Sequence, residues 1–201
     1  LNNLGQVVGG TSIPGYDSTE YGQAFLLNPQ DVNGDGKLEW FVDKDSDGQN
    51  DLIIGLGTLP GANLCQAAAV NELGCVVGTS SFYDSVTRVG STEAFLVVPS
   101  RPGCWYQDSN KDGFNDLMLP LGRPPGMPVS ATPRDLNINN VGQIVGWCDG
   151  TDANGVYQYT GFLLTPVKDA QGVQQWFQDL NGDGANDLMV ELGDFIPSSI
   201  N

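Results

Sequence analysis

Apolar residues in this chain fall in short runs between clusters of Gly, Asn, Asp and Pro, and they do not recur at helical spacing over three turns. "GQVVG" (5–9), "AFLL" (24–27), "WFV" (40–42) and "LIIGL" (52–56) are rich in β-branched and aromatic residues and bounded by turn formers, so each predicts a strand. "CQAAAVNEL" (65–73) is the best helical candidate. Its counterpart "TPRDLNINNV" (132–141) contains Pro and Asn, so both predict a strand that enters a turn.

The counterpart exists because the pattern repeats. "LNNLGQVVGG" (1–10) returns as "VNELGCVVGT" (70–79) and "INNVGQIVGW" (138–147), at intervals of 69 and 68 residues. Each is followed by a Phe marker ("AFLL" 24–27, "AFLV" 94–97, "GFLL" 161–164), a Trp-led acidic stretch, and an ending in Leu-Gly. The lengths vary between Phe and Trp, and between the Leu-Gly ending and the next Asn. The expectation is an all-β protein of three tandem repeats, 1–69, 70–137 and 138–201, in one continuous array. Four short antiparallel strands per repeat suit a β-propeller-like blade. Trp40, Trp105 and Trp176, and likewise Phe25, Phe95 and Phe162, are expected in the core, since large aromatics dominate burial. Trp147 lies outside this register and is the candidate for an exposed contact.

The acidic stretches carry the candidate chemistry. They contain Asp43, Asp45, Asp47, Gly48 and Asp51; Asp108, Asn110, Asp112, Gly113 and Asp116; and Asp179, Asn181, Asp183, Gly184 and Asp187. The shared pattern is D-x-[DN]-x-D-G-x-x-D. Hard cations such as calcium take six to eight oxygen ligands. Side chains at positions 1, 3 and 5 supply three, Gly at position 6 allows the bend, and the backbone carbonyl at position 7 (Gln49, Phe114 or Ala185) supplies another. Position 12, where an EF-hand has its bidentate carboxylate, holds Ile54, Leu119 or Val190, so the Asp at position 9 is expected to close the cage at the turn of a β-hairpin. A fourth candidate, "DVNGDGKLE", offers Asp31, Asn33, Asp35, the carbonyl of Lys37, and Glu39, with Gly36 at the bend. A solvated turn is the plain alternative, because Asn, Asp and Gly dominate turns without any metal.

These loops resemble the short calcium loops of integrin-type propeller blades. The repeat markers, with "LGTLPG" at 56–61, resemble the HAF repeats of exported bacterial proteins. That resemblance implies an extracellular location and propeller-like sheets, and it implies no activity. The chain departs from the pattern in having no His and in the acidic loops that enlarge each unit.

Charge fits the metal reading. The formal net charge is −16, with 24 acidic and 8 basic residues, and 13 of the acidic ones lie in the four loops. Four bound Ca²⁺ would reduce the charge to −8 and relieve repulsion in the compact state. So acidic a surface disfavours nucleic acid, whose phosphates need clustered Lys and Arg. There is no run of about 20 apolar residues to span a membrane. Cys65, Cys75, Cys104 and Cys148 lack CxxC spacing and disfavour zinc; of their three pairings, Cys65–Cys75 with Cys104–Cys148 is preferred. The opening at Leu1 suggests a removed leader or a segment of a longer array. Ile200–Asn201 resembles the start of a fourth unit, so the first repeat is expected to pack on the last repeat of another copy, as a ring or a filament.

With no His, Ser-His-Asp and Cys-His chemistries are excluded, and no phosphate-binding glycine loop is present. The leading expectation is a non-catalytic, extracellular, calcium-binding repeat protein with a structural, self-assembling or adhesive role. The alternative is a carbohydrate-binding module with Trp147, Tyr157, Tyr159, Phe82 and Tyr83 as stacking platforms. A third reading pairs Glu20 and Glu93 as a glycosidase would pair carboxylates, but the third repeat has Tyr in that stretch.

Overall fold

In the computed structural model, which describes residues 1–12, 22–84 and 89–201, the protein is all-β, and no described residue is helical. Three strands come from the first repeat: β1 (Val7–Ser12), β2 (Gly22–Leu27) and β3 (Ile53–Gly57). β2 pairs with both β1 and β3, antiparallel. The next four, β4 (Leu64–Val70), β5 (Val76–Asp84), β6 (Val89–Val97) and β7 (Met118–Pro120), form an antiparallel meander. A single parallel bridge between Gly22 and Leu64 joins these two parts into one seven-stranded sheet. A separate four-stranded sheet takes one strand from the end of the second repeat and three from the last, in the order β13-β10-β9-β8. Its strands are β8 (Thr132–Ile138), β9 (Ile144–Thr151), β10 (Tyr157–Leu164) and β13 (Met189–Gly193). A small ribbon, β11 (Val167–Lys168) with β12 (Gln174–Gln175), lies between β10 and the last acidic loop. Among the described residues no sheet closes into a barrel.

Alternation along β5 and β6 explains the layering. Val76, Phe95 and Val97 face one way, into a core shared with Ala24, Leu26 and Leu56 of the first three strands. Val77, Ala94 and Leu96 face the other way, into a core shared with Leu136, Ile144, Phe162 and Leu164 of the last sheet. All six of these β5 and β6 side chains are fully buried, as a strand with period two requires when both faces are covered. The meander β4–β7 is therefore the middle layer of three.

Each four-stranded set takes its first strand from residues just before the repeated Asn. β4 ends at Val70 and pairs Val70 with Val76 across the Asn71 turn, while β8 pairs Ile138 with Ile144 across the Asn139 turn. The strand-into-turn reading of 65–73 and 132–141 agrees with this. "WFV" and its counterparts do not form strands. Their backbone makes one closing bond across each acidic loop instead, such as Asp51 N to Val42 O at 2.7 Å.

Two further expectations are corrected. All four cysteines are free. Cys65 lies in the core on one side of the middle layer and Cys75 in the core on the other, so a bond between them would have to cross the sheet. Among the Trp residues, Trp105 and Trp176 are buried and donate their indole N–H to Gly74 O and Gly142 O. Trp40 lies against Gly5 but remains 47% exposed. Phe95 and Phe162 are fully buried, while Phe25 is half-buried.

Candidate metal centre

The acidic loops lie in the long connections between the last two strands of each set: β2 to β3, β6 to β7, and β10 to β13. They are not tight hairpin turns, because the intervening backbone bonds to side chains rather than to a strand partner. Position by position, the bonds repeat. The first Asp accepts from the backbone N–H of positions 5 and 6, as in Asp43 with Asp47 (3.1 Å) and Gly48 (2.9 Å). Asp108 with Asp112 and Gly113, and Asp179 with Asp183 and Gly184, do the same. Position 3 (Asp45, Asn110 or Asn181) also accepts from position 5, and position 5 accepts from position 7. Position 9 reaches back to the N–H of position 2: Asp51 to Lys44, Asp116 to Ser109, and Asp187 to Leu180, at 2.6–2.7 Å. The position-6 glycines hold φ of 82°, 86° and 76°, a region that side chains with a Cβ rarely adopt.

The fourth candidate folds by the same rules. Asp31 accepts from Asp35 and Gly36, Asn33 from Asp35, and Asp35 from Lys37. Glu39 stands in for the position-9 Asp and accepts from Val32 N at 2.8 Å. Its longer side chain also accepts from Asn33 Nδ2 at 2.7 Å.

With the donors of each loop turned onto its own carboxylates, oxygen atoms are brought together. In two loops, three acidic residues each place one oxygen within 4.8 Å of the others: Asp31, Asp35 and Glu39, and Asp43, Asp45 and Asp47. These two clusters can hold a metal ion. Asp51 is outside its triplet, whereas Glu39 belongs to its own. In the remaining loops position 3 is Asn110 or Asn181, and Asp108, Asp112 and Asp116, like Asp179, Asp183 and Asp187, form no such cluster. The Gly184 N–H, aided by those of Gly182, Asp183 and Asn181, holds the Asp179 carboxyl below the usual carboxylate range against the opposing effect of desolvation.

One loop residue escaped the sequence reading although its signal was present. Position 8 is Asn in all three Trp-led loops: Asn50, Asn115 and Asn186. Asn115 and Asn186 are buried. Each donates to the carbonyl of its own loop's Trp and to a carbonyl of the preceding repeat: Leu56 O at 2.9 Å for Asn115, and Leu121 O at 2.8 Å for Asn186. Their Oδ1 atoms accept from the backbone on both sides of the loop. Arg123 adds a second tie, its guanidinium to Asp183 O at 2.7 Å and its carbonyl to Asn186 N at 2.8 Å. The second and third Trp-led loops are thus bolted to the preceding layer.

Of the proposed stacking platforms, Trp147, Tyr157 and Tyr159 come together on the last sheet. Arg134 lies 5.5 Å from the Trp147 ring centre, and the indole N–H donates to Asp135 at 2.7 Å. Arg134 also pairs with Asp149, which accepts from the Tyr157 hydroxyl. The Arg134 hydrogen bond is the main reason the Asp149 carboxyl titrates below its ordinary range. Phe82 and Tyr83 lie apart on β5. Glu93 lines a cleft with Arg123 and Phe82, and burial pushes its carboxyl up; Glu20 lies outside the described residues. No known protein family, curated protein or solved structure matches this chain.

Proposed function

We propose that the chain is a non-catalytic, calcium-stiffened repeat scaffold whose layers are propeller-like blades. It acts outside the cell in a structural or adhesive role, as the resemblance to exported repeat proteins implies. The single observation that carries this reading is the hydrogen-bond pattern shared by all four loops. Backbone N–H groups bond to the side-chain oxygens of positions 1, 3 and 5, and in the Asp43 loop those three carboxylates lie together. All the donors in that set are oxygen, which suits a hard cation and offers thiolate- or imidazole-seeking metals nothing. Magnesium, which keeps several waters and few carboxylates, fits less well than calcium.

The residues that would hold the ions are Asp43, Asp45, Asp47 and Asp51 with the Gln49 carbonyl; Asp108, Asn110, Asp112 and Asp116 with that of Phe114; Asp179, Asn181, Asp183 and Asp187 with that of Ala185; and Asp31, Asn33, Asp35 and Glu39 with that of Lys37. Because Asn115 and Asn186 tie their loops to the preceding layer, fixing a loop also fixes an interface. An ion bound only by the folded state stabilises it by about 2.7 kcal/mol per site at a hundredfold excess over Kd. Thermal melts in calcium, magnesium and chelator test this. Calcium should raise the melting temperature well above both other conditions, and a chelated sample that melts with the calcium-loaded one would refute the reading.

The second reading, glycan binding, draws on the Trp147–Tyr157–Tyr159 group with the carboxylates of Asp135 and Asp149 beside it. A glycan array with Trp147→Ala as control decides it.

A further inference from the structure

β7 ends at Pro120, so the edge of β6 from Ser91 to Glu93 has no strand beside it among the described residues. The chain instead turns at Gly122 and Arg123 and crosses to β8. A cleft of about 230 Å³ opens at this edge, between the middle and last layers. Phe82, Val129, Ala131 and Pro133 give it apolar walls, and Glu93 and Arg123 bring opposite charges to it.

The two charges do not neutralise each other. Among the described residues Glu93 has no ion-pair partner. The Arg123 guanidinium is engaged elsewhere, donating to Asp183 O at 2.7 Å in the third Trp-led loop. The Glu93 carboxyl accepts from the Gly122 N–H, yet burial still pushes it up. Desolvating its charge therefore costs more than that one bond returns.

The preceding junction is built differently. There the place of Glu93 is held by Gln23, which is exposed, and the place of Pro124 by Leu59. Leu59 is buried in the core, and its N–H bonds to Ser80 Oγ at 3.3 Å. The connection from Gly122 to Pro133 is also three residues longer than its counterpart from Gly57 to Cys65. Val129 and Ala131, which wall the cleft, belong to that longer connection.

We propose that this cleft binds an alkylammonium group, either a free amine or the side chain of a lysine in a partner protein. The ammonium donates to Glu93, and a charge-assisted bond replaces the hydration that burial removes. The Phe82 ring adds its attraction for a cation, and the alkyl stem lies along Val129, Ala131 and Pro133. Pockets for drug-sized ligands span about 300–1,000 Å³, so a cleft this small suits one slender group. The formal net charge of −16 draws cations toward the surface. An uncharged ligand of the same shape would leave the Glu93 charge unpaired, and an anion would be repelled by it.

NMR titration of the full chain in saturating calcium tests this. The probes are n-pentylammonium for the free amine and Nα-acetyl-lysine-N-methylamide for the peptide side chain. n-Pentanol and Nα-acetyl-norleucine-N-methylamide are the uncharged controls. Saturable shifts of the Phe82 ring and Ala131 methyl signals are expected with one or both ammonium probes and with neither control. Which probe binds identifies the source of the amine. Glu93→Gln keeps the shape of the side chain and should weaken binding about tenfold or more, whereas Glu72→Gln, outside the cleft, should leave it unchanged. Val129→Trp, at a position 86% exposed in the fold, obstructs the cleft and should abolish the same shifts. No saturable shift with either ammonium probe, equal shifts with the uncharged controls, or a Glu93→Gln variant that binds as the wild type does overturns the proposal. No acidic-loop carboxylate lines the cleft, so this result and the calcium melts stand or fall independently.

Discussion

Asn186→Ala isolates the contribution of the bolt between a loop and its neighbouring layer. The side chain is fully buried and makes four hydrogen bonds: to Leu121 O and Trp176 O from its Nδ2, and from Gln178 N and Leu188 N to its Oδ1. Each intramolecular bond contributes about 0.5–1.5 kcal/mol net, and stranding a buried partner costs more. Gln178 is exposed, so its N–H recovers water after the substitution. The Leu121 carbonyl belongs to a fully buried residue and recovers little. The expected loss is about 3 kcal/mol, which in a domain of this size lowers the melting temperature by about 6–12 °C. Asn50→Ala is the internal control. Asn50 makes the equivalent bonds within its own loop but none to another repeat, and it is half-buried, so about 1 kcal/mol is expected. Calorimetric melts of both variants in saturating calcium, with Asn115→Ala as a replicate of the bolted case, read the difference. Equal losses for Asn50 and Asn186, or an Asn186 variant that melts with the wild type, would falsify the claim that the cross-layer bond matters.

The Trp residues offer a second contrast: Trp105→Ala should cost about 3–5 kcal/mol, while Trp40→Ala, at a half-exposed site, should cost well under half of that in the same denaturation series. Burial pushes the Cys65 thiol up to about 11 and Cys148 to about 12 from an ordinary value of 9.0. Unfolding therefore favours the thiolate, and stability that is complete below pH 9.0 should fall as pH rises toward those values, less steeply in Cys148→Ala. Under native conditions a thiol reagent should find Cys104 first, because the other three are buried. In acid the sign reverses: Asp179, whose folded carboxyl titrates below its ordinary range, contributes stability present above its unfolded pKa and lost as pH falls through the folded one, and Asp179→Asn should blunt that arm of a pH–melting curve.

Strand positions carried by Val, Ile and Phe were legible because period-two burial on both faces leaves a continuous apolar run. The acidic loops were legible because Gly and Asp at fixed offsets satisfy a local hydrogen-bond pattern that needs no distant partner. The Trp segments read as strands from their composition, yet their backbone is claimed by the loop. Asn50, Asn115 and Asn186 looked like ordinary turn residues. What distinguishes two of them is a carbonyl in another repeat, and spacing within one loop does not reveal it. The cysteine pairing failed for a related reason: closeness along the chain does not say which side of a sheet a residue faces.

The middle layer has a covered sheet face on either side. In a linear array, stability is the sum of what each unit supplies and what each junction supplies, and junctions accumulate faster than ends as units are added. Duplicating an internal segment of the gene would insert one unit and one junction, with both new faces already complementary to those they meet. The persistence of such a protein can therefore be tuned by heritable changes in length alone, without altering a single side chain in the existing cores.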